Sequence, residues 1–111
     1  MNDLSHKKCV PCEVGALPFN EERVKQYAAS VPGWTVRDDS KGLSREWKFP
    51  DFKSALAFAN GVGAIAEEEG HHPDLEIGWG RVKVSLSTHA IGGLSENDFI
   101  LAAKISAIKI D

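Results

Sequence analysis

The sequence predicts an α+β fold: a four-stranded antiparallel sheet with three helices packed on one face, in the order α-β-β-α-β-β-α. Three segments carry apolar residues at helical spacing, and each opens on a residue suited to helix capping. Two pairs of alternating segments, each pair joined by a short turn-like link, lie between them. The length of 111 residues, with 42% hydrophobic and 26% charged residues, fits one ordinary globular domain and leaves little room for a second.

The first helix opens at Asn20, with Glu21 and Glu22 in the turn where the helix dipole favours negative charge. Val24, Tyr27, Ala28 and Val31 then follow one apolar stripe, and Pro32-Gly33 stops it. Trp34 and Val36 alternate with polar residues, as do Leu43, Trp47 and Phe49, across the turn chemistry of residues 38–42. Pro50 ends that hairpin and Asp51 caps the second helix, whose stripe is Phe52, Ala55, Leu56, Ala59, Val62, Gly63 and Ala66. Gly61 and Gly63 each cost about 1 kcal/mol against Ala, which close packing of the helix on the sheet would explain. Gly70 suits the position that ends the helix. Leu75, Ile77 and Trp79, then Val82, Val84, Leu86 and Thr88, alternate as a second hairpin. Ser95, with Asp98 three residues on, reads as a capping box opening a third helix with Leu101, Ala102, Ile105 and Ile108 buried. Trp34 and Trp47 are not expected to share one buried face with all the rest, which hints at oligomerisation.

Charge and composition narrow the function. Net charge is −3 and the pI about 5.8, which argues against a basic nucleic-acid surface. The longest apolar-rich stretch, residues 55–66, is too short to cross a bilayer and is broken by Asn60, Gly61 and Gly63. A soluble cytoplasmic protein with no membrane partner is the expectation. Residues 1–19 read as a poorly ordered leader and residues 20–111 as the single domain. Cys9 and Cys12 stand in the leader as C-x-x-C. That spacing can hold zinc, with His6 and Glu13 as further ligands, or cycle as a redox pair. Pro11 and Gly15 disfavour the strand and helix a redox motif needs, so the plainest reading is two exposed thiols on a tail.

Three of the four histidines, His71, His72 and His89, fall within nineteen residues. His71-His72-Pro73 follows the second helix directly, and Pro73 drives His72 towards extended backbone. His89 ends the last strand. Pairing the two strands around Trp79-Gly80 brings the three histidines to one end of the sheet. Three imidazoles could hold a catalytic zinc, although adjacent histidines diverge in extended chain. They could also move protons, since imidazole titrates near neutrality, or they could be surface groups at a helix end. Spacing alone leaves these open.

The pattern Glu67-x3-His71-His72-Pro73, Trp79, His89 and Asp98, within EEEGHHPDLEIGWGRVKVSLSTHAIGGLSENDF, resembles the signature of the pterin-4a-carbinolamine dehydratases. The resemblance spans roughly residues 20–110, and the C-x-x-C leader is similar to that of bacterial members. Leu75 departs from it, standing where many members carry Trp. The resemblance implies dehydration of 4a-hydroxytetrahydrobiopterin, or a bacterial counterpart, to quinonoid dihydropterin, recycling the cofactor of aromatic amino-acid hydroxylases. It implies a catalytic set of His71, His72 and His89. His71 and His89 are its acid–base pair, and His72 mainly holds the pterin. Pro73, Thr88, Ala90 and Ile91 would line the pocket with them, and Glu67, Trp79 and Asp98 would support it. It implies no metal and no organic cofactor, and a homodimer or homotetramer. Relatives of this kind also bind a transcription factor or assist assembly of a large enzyme, which makes a non-enzymatic binding role the alternative.

Overall fold

Alternation of side chains along β2 and β4 decides which face of the sheet is buried. In the computed structural model, which describes residues 4–10 and 17–109, four strands form one antiparallel sheet in the order β1-β2-β4-β3. They are β1 (Thr35–Val36), β2 (Leu43–Lys48), β3 (Asp74–Gly78) and β4 (Arg81–Leu86). Leu43 and Trp47 on β2, and Val82, Val84 and Leu86 on β4, point into the core. Their neighbours form polar rows on the other face, where Glu46, Lys83 and Glu76 stand side by side across three strands. A face of that composition is satisfied by water, so the helices need to cover only one side.

Three helices supply that cover: α1 (Glu21–Ala28), α2 (Phe52–Glu69) and α3 (Glu96–Ser106). Each starts as its capping residue dictates. Asn20 Oδ1 accepts from the Arg23 N–H at 2.8 Å, and Asp51 Oδ1 from the Ser54 N–H at 2.7 Å. α3 is the central helix, with Phe99, Ile100, Leu101, Ala102 and Ile105 all buried. Val31, expected on the α1 stripe, lies past the helix end yet is buried in the turn that follows.

Several expectations need correction. Trp34 and Trp47 do share the core, edge to face with centroids 5.6 Å apart, and Trp47 also meets Phe58 at 4.7 Å. Trp34 precedes β1, so strand alternation does not constrain it, and its indole N–H donates to Ser106 Oγ at 2.8 Å. Trp34 and Trp47 therefore give no reason for oligomerisation. The buried stripe of α2 is Ala55, Phe58, Ala59, Val62 and Ala66, while Phe52 and Leu56 face solvent. A Cβ at Gly61 would meet only Ile108 at 3.8 Å, and one at Gly63 would meet nothing within 4 Å. Close packing on the sheet does not explain these glycines, and nothing else in the structure does. Gly80 is different, because a Cβ there would fall 2.6 Å from the Phe49 carbonyl.

Residues 4–10 do not hang loose. Leu4 is buried in the core, Lys104 Nζ donates to the Ser5 carbonyl at 3.0 Å, and Lys7 Nζ to Glu96 at 3.0 Å. The Cys9 N–H donates to Glu69 Oε1 at 2.8 Å. The Cys9 thiol is half-buried rather than exposed, and burial, with Glu69 adding to it, pushes it up to about 12. Cys12 and Glu13 lie outside the described residues. No helix among the described residues is long and apolar enough to cross a membrane.

The tether of residues 4–10 is expected to loosen in acid. The bond from the Cys9 N–H, above all, lowers the Glu69 carboxyl below its usual range, and Lys7, then Tyr27, do so for Glu96. A carboxyl lowered by folding contributes in full above its unfolded value, about 4.3, and loses that contribution as pH falls through the folded one. Amide protection factors over residues 4–10 should therefore drop below about pH 4 while those of α3 persist. Undiminished protection at about pH 3 would contradict this.

Candidate active site

His71 and His72 owe their position to the way α2 stops. Gly70 takes the left-handed conformation, φ 66°, and the His71 N–H donates back to the Ala66 carbonyl at 3.2 Å. Pro73 then sets the chain extended into β3. The β3–β4 register pairs Asp74 with Ser85. Continued backwards, it sets His72 beside Ser87 and His71 beside Thr88, at the end of the hairpin away from its turn.

The last strand does not run on to His89. β4 ends at Leu86, Thr88 bridges to Gly93 with its N–H donating to the Gly93 carbonyl at 2.8 Å, and His89–Ile91 form a 3-10 turn. The bridge folds the chain back, so strand alternation stops at Thr88 and His89 is carried out to an exposed position.

Asp98 anchors the arrangement. It is fully buried in the first turn of α3, where Asp98 Oδ2 accepts from the Ser95 N–H at 3.0 Å and from Thr88 Oγ1 at 2.7 Å. Asp98 Oδ1 lies 2.6 Å from His71 Nε2. An ionised carboxylate only accepts, so with Asp98 ionised the His71 proton belongs on Nε2 and Nδ1 is the nitrogen left open to exchange. Thr88 Oγ1, having donated to Asp98, accepts from Ser95 Oγ at 2.8 Å. The capping residue expected at position 98 is thus also the partner of His71. Glu67 pairs instead with His72, Oε2 to Nε2 at 2.5 Å, and both side chains are largely exposed.

His71, His72 and His89 line one cleft of about 270 Å³, with Ser87, Thr88 and Ala90 between them. Val10, Gly70 and Asn97 also line it among the described residues. Val10 and Asn97 carried no signal in the sequence, because the contact joins residues far apart in the chain. Pro73 and Ile91 border the cleft without lining it. Trp79 is 71% exposed at the opposite end of the hairpin, outside the cleft. Leu75 stands opposite Val84 and packs against the core, also outside it. A larger groove of about 540 Å³ opens beside the cleft on the polar sheet face and shares Ser87 and His89 with it. Among the described residues no cluster of three or more His, Cys, Asp or Glu could hold a metal ion.

An α+β domain with imidazoles around a small cleft, one of them backed by a buried carboxylate, is a class of protein equipped to move protons on a small molecule. The chain belongs to the pterin 4 alpha carbinolamine dehydratase family, whose model matches residues 17–108. A protein of Alkaliphilus metalliredigens named for the same family is 48% identical over 106 residues, 95% of each chain. The crystal structure of a transcriptional coactivator/pterin dehydratase from Brucella melitensis superposes with a TM-score of 0.76 at 31% identity, over 81% of this chain and 96% of that one. A pterin dehydratase-like protein identified as a RuBisCO assembly factor in the alpha-carboxysome shares the fold, with a TM-score of 0.58 at 24% identity over 68% and 87% of the two chains.

The two histidine–carboxylate pairs differ sharply in expected worth. Asp98→Ala strands the buried donors of Thr88, Ser95 and His71 and should cost roughly 2–4 kcal/mol in urea unfolding. Glu67→Ala removes an exposed pair and should cost less than about 0.5 kcal/mol. Equal costs for the two would refute the ranking.

Proposed function

We propose that this protein removes water from a 4a-hydroxytetrahydropterin, giving the quinonoid dihydropterin, by histidine acid–base catalysis. Family membership supports the substrate class. The observation that carries the mechanism is the placement of His71 and His89 on one cleft, with His71 held by the buried Asp98. The elimination breaks the C4a–O bond and removes a proton from a ring nitrogen, so one group must protonate the departing hydroxyl while another takes the ring proton. His71 and His89 are assigned these two tasks. His72, steadied by Glu67, mainly holds the pterin, with Thr88, Ala90 and the backbone of the Pro73 and Ile91 segments around it. The reading calls on no organic cofactor or metal and places the enzyme in the cytoplasm, downstream of a pterin-dependent hydroxylase. A homodimer or homotetramer belongs to the same proposal, supported by the exposed Phe52, Leu56, Ile77 and Trp79.

A non-enzymatic role as a protein-binding partner is the second reading, favoured by the coactivator half of the Brucella protein's description. Decay of chemically generated 4a-hydroxypterin separates the two. The wild type should accelerate it, and His71→Ala and His89→Ala should each lose about 10²- to 10⁴-fold, while His72→Ala mainly raises KM. Absence of acceleration by the wild type would leave only the binding role.

A further inference from the structure

Val10 sits on the cleft, and the way it is held there is specific. The Asn97 side-chain amide clamps both backbone groups of Val10: Nδ2 donates to the Val10 carbonyl at 2.5 Å, and Oδ1 accepts from the Val10 N–H at 3.0 Å. Asn97 is itself buried, and the next residue, Asp98, holds His71. One turn of α3 therefore fixes two walls of the same cleft. Yet Val10 is 65% exposed. Folding gains almost nothing from burying its side chain, so core packing does not explain why it is held by two hydrogen bonds.

The cleft itself suggests the reason. Among the described residues its other side chains are imidazoles, hydroxyls and the Asn97 amide, and Val10 and Ala90 are the apolar residues of the lining. A flat heteroaromatic ring presents hydrogen-bonding groups at its edge and apolar faces, so it needs an apolar contact as well as polar ones. We infer that Val10 is a substrate-contact residue, forming an apolar wall for the ring, and that Asn97 is the positioning residue that sets it there. The inference rests on the pterin reading above.

The test uses the full chain and a non-reacting dihydropterin, with binding followed by fluorescence and turnover measured alongside. Because Val10 is exposed, Val10→Gly should lower the thermal midpoint by no more than the small backbone-entropy cost of a glycine. It should raise Kd and KM about 5- to 20-fold and move kcat less than about twofold. Asn97→Ala should raise KM similarly. The double variant should be no worse than Asn97→Ala alone, since the two substitutions remove one contact. Unchanged Kd and KM in Val10→Gly would overturn the wall, and additive effects would overturn the assignment of Asn97. Failure of the wild type to bind the dihydropterin would instead overturn the pterin reading, and the wall with it.

Discussion

Asp98 is wholly withdrawn from water, and a buried carboxylate has to be answered by hydrogen bonds. Its donors come from three parts of the chain: the Ser95 N–H at the start of α3, the Thr88 hydroxyl beyond β4, and the His71 ring after α2. Satisfying one buried side chain therefore draws together the α2–β3 corner, the end of the second hairpin and the central helix. The same bonds set the tautomer of His71 and bring the turn that starts at His89 to the cleft. The geometry that the proposed proton transfer calls for is in this way a by-product of what the fold must do to bury Asp98.

The rest of the molecule holds these parts in place, and only its N-terminal residues 4–10 reach the cleft among those described. The sheet gives the hairpin its register. Phe99, Ile100, Leu101 and Ile105 key α3 into the core, which stops the Asp98 turn from drifting. Residues 4–10 add a second brace through Lys104, Glu96, Glu69 and Asn97, so the leader contributes to both packing and the mouth of the site.

Local chemistry made much of this readable beforehand. Asn20, Asp51 and Ser95 each begin a helix, and Gly70 ends one, because capping depends on a few adjacent residues. Strand alternation fixed the hairpin register closely enough to bring His71 and His72 to the end that also carries His89. What escaped was set by contacts across the chain. Trp34 escapes strand alternation, and Phe58 faces the core because α2 is rotated on the sheet further than its own stripe implied. His89 leaves the strand because of the Thr88 bridge to Gly93. Val10 and Asn97 are 87 residues apart, beyond the reach of periodicity or motif. Asp98 was legible as a cap, but its bond to His71 depends on how α3 docks.

The most direct measurement is the tautomer of His71, read from its ¹⁵N shifts at a pH where the ring is neutral. The buried carboxylate requires the proton on Nε2 and a bare Nδ1, and Asp98→Asn should disturb that preference. A proton on Nδ1, or a tautomer mixture that Asp98→Asn leaves unchanged, would contradict the role of Asp98 in setting the site.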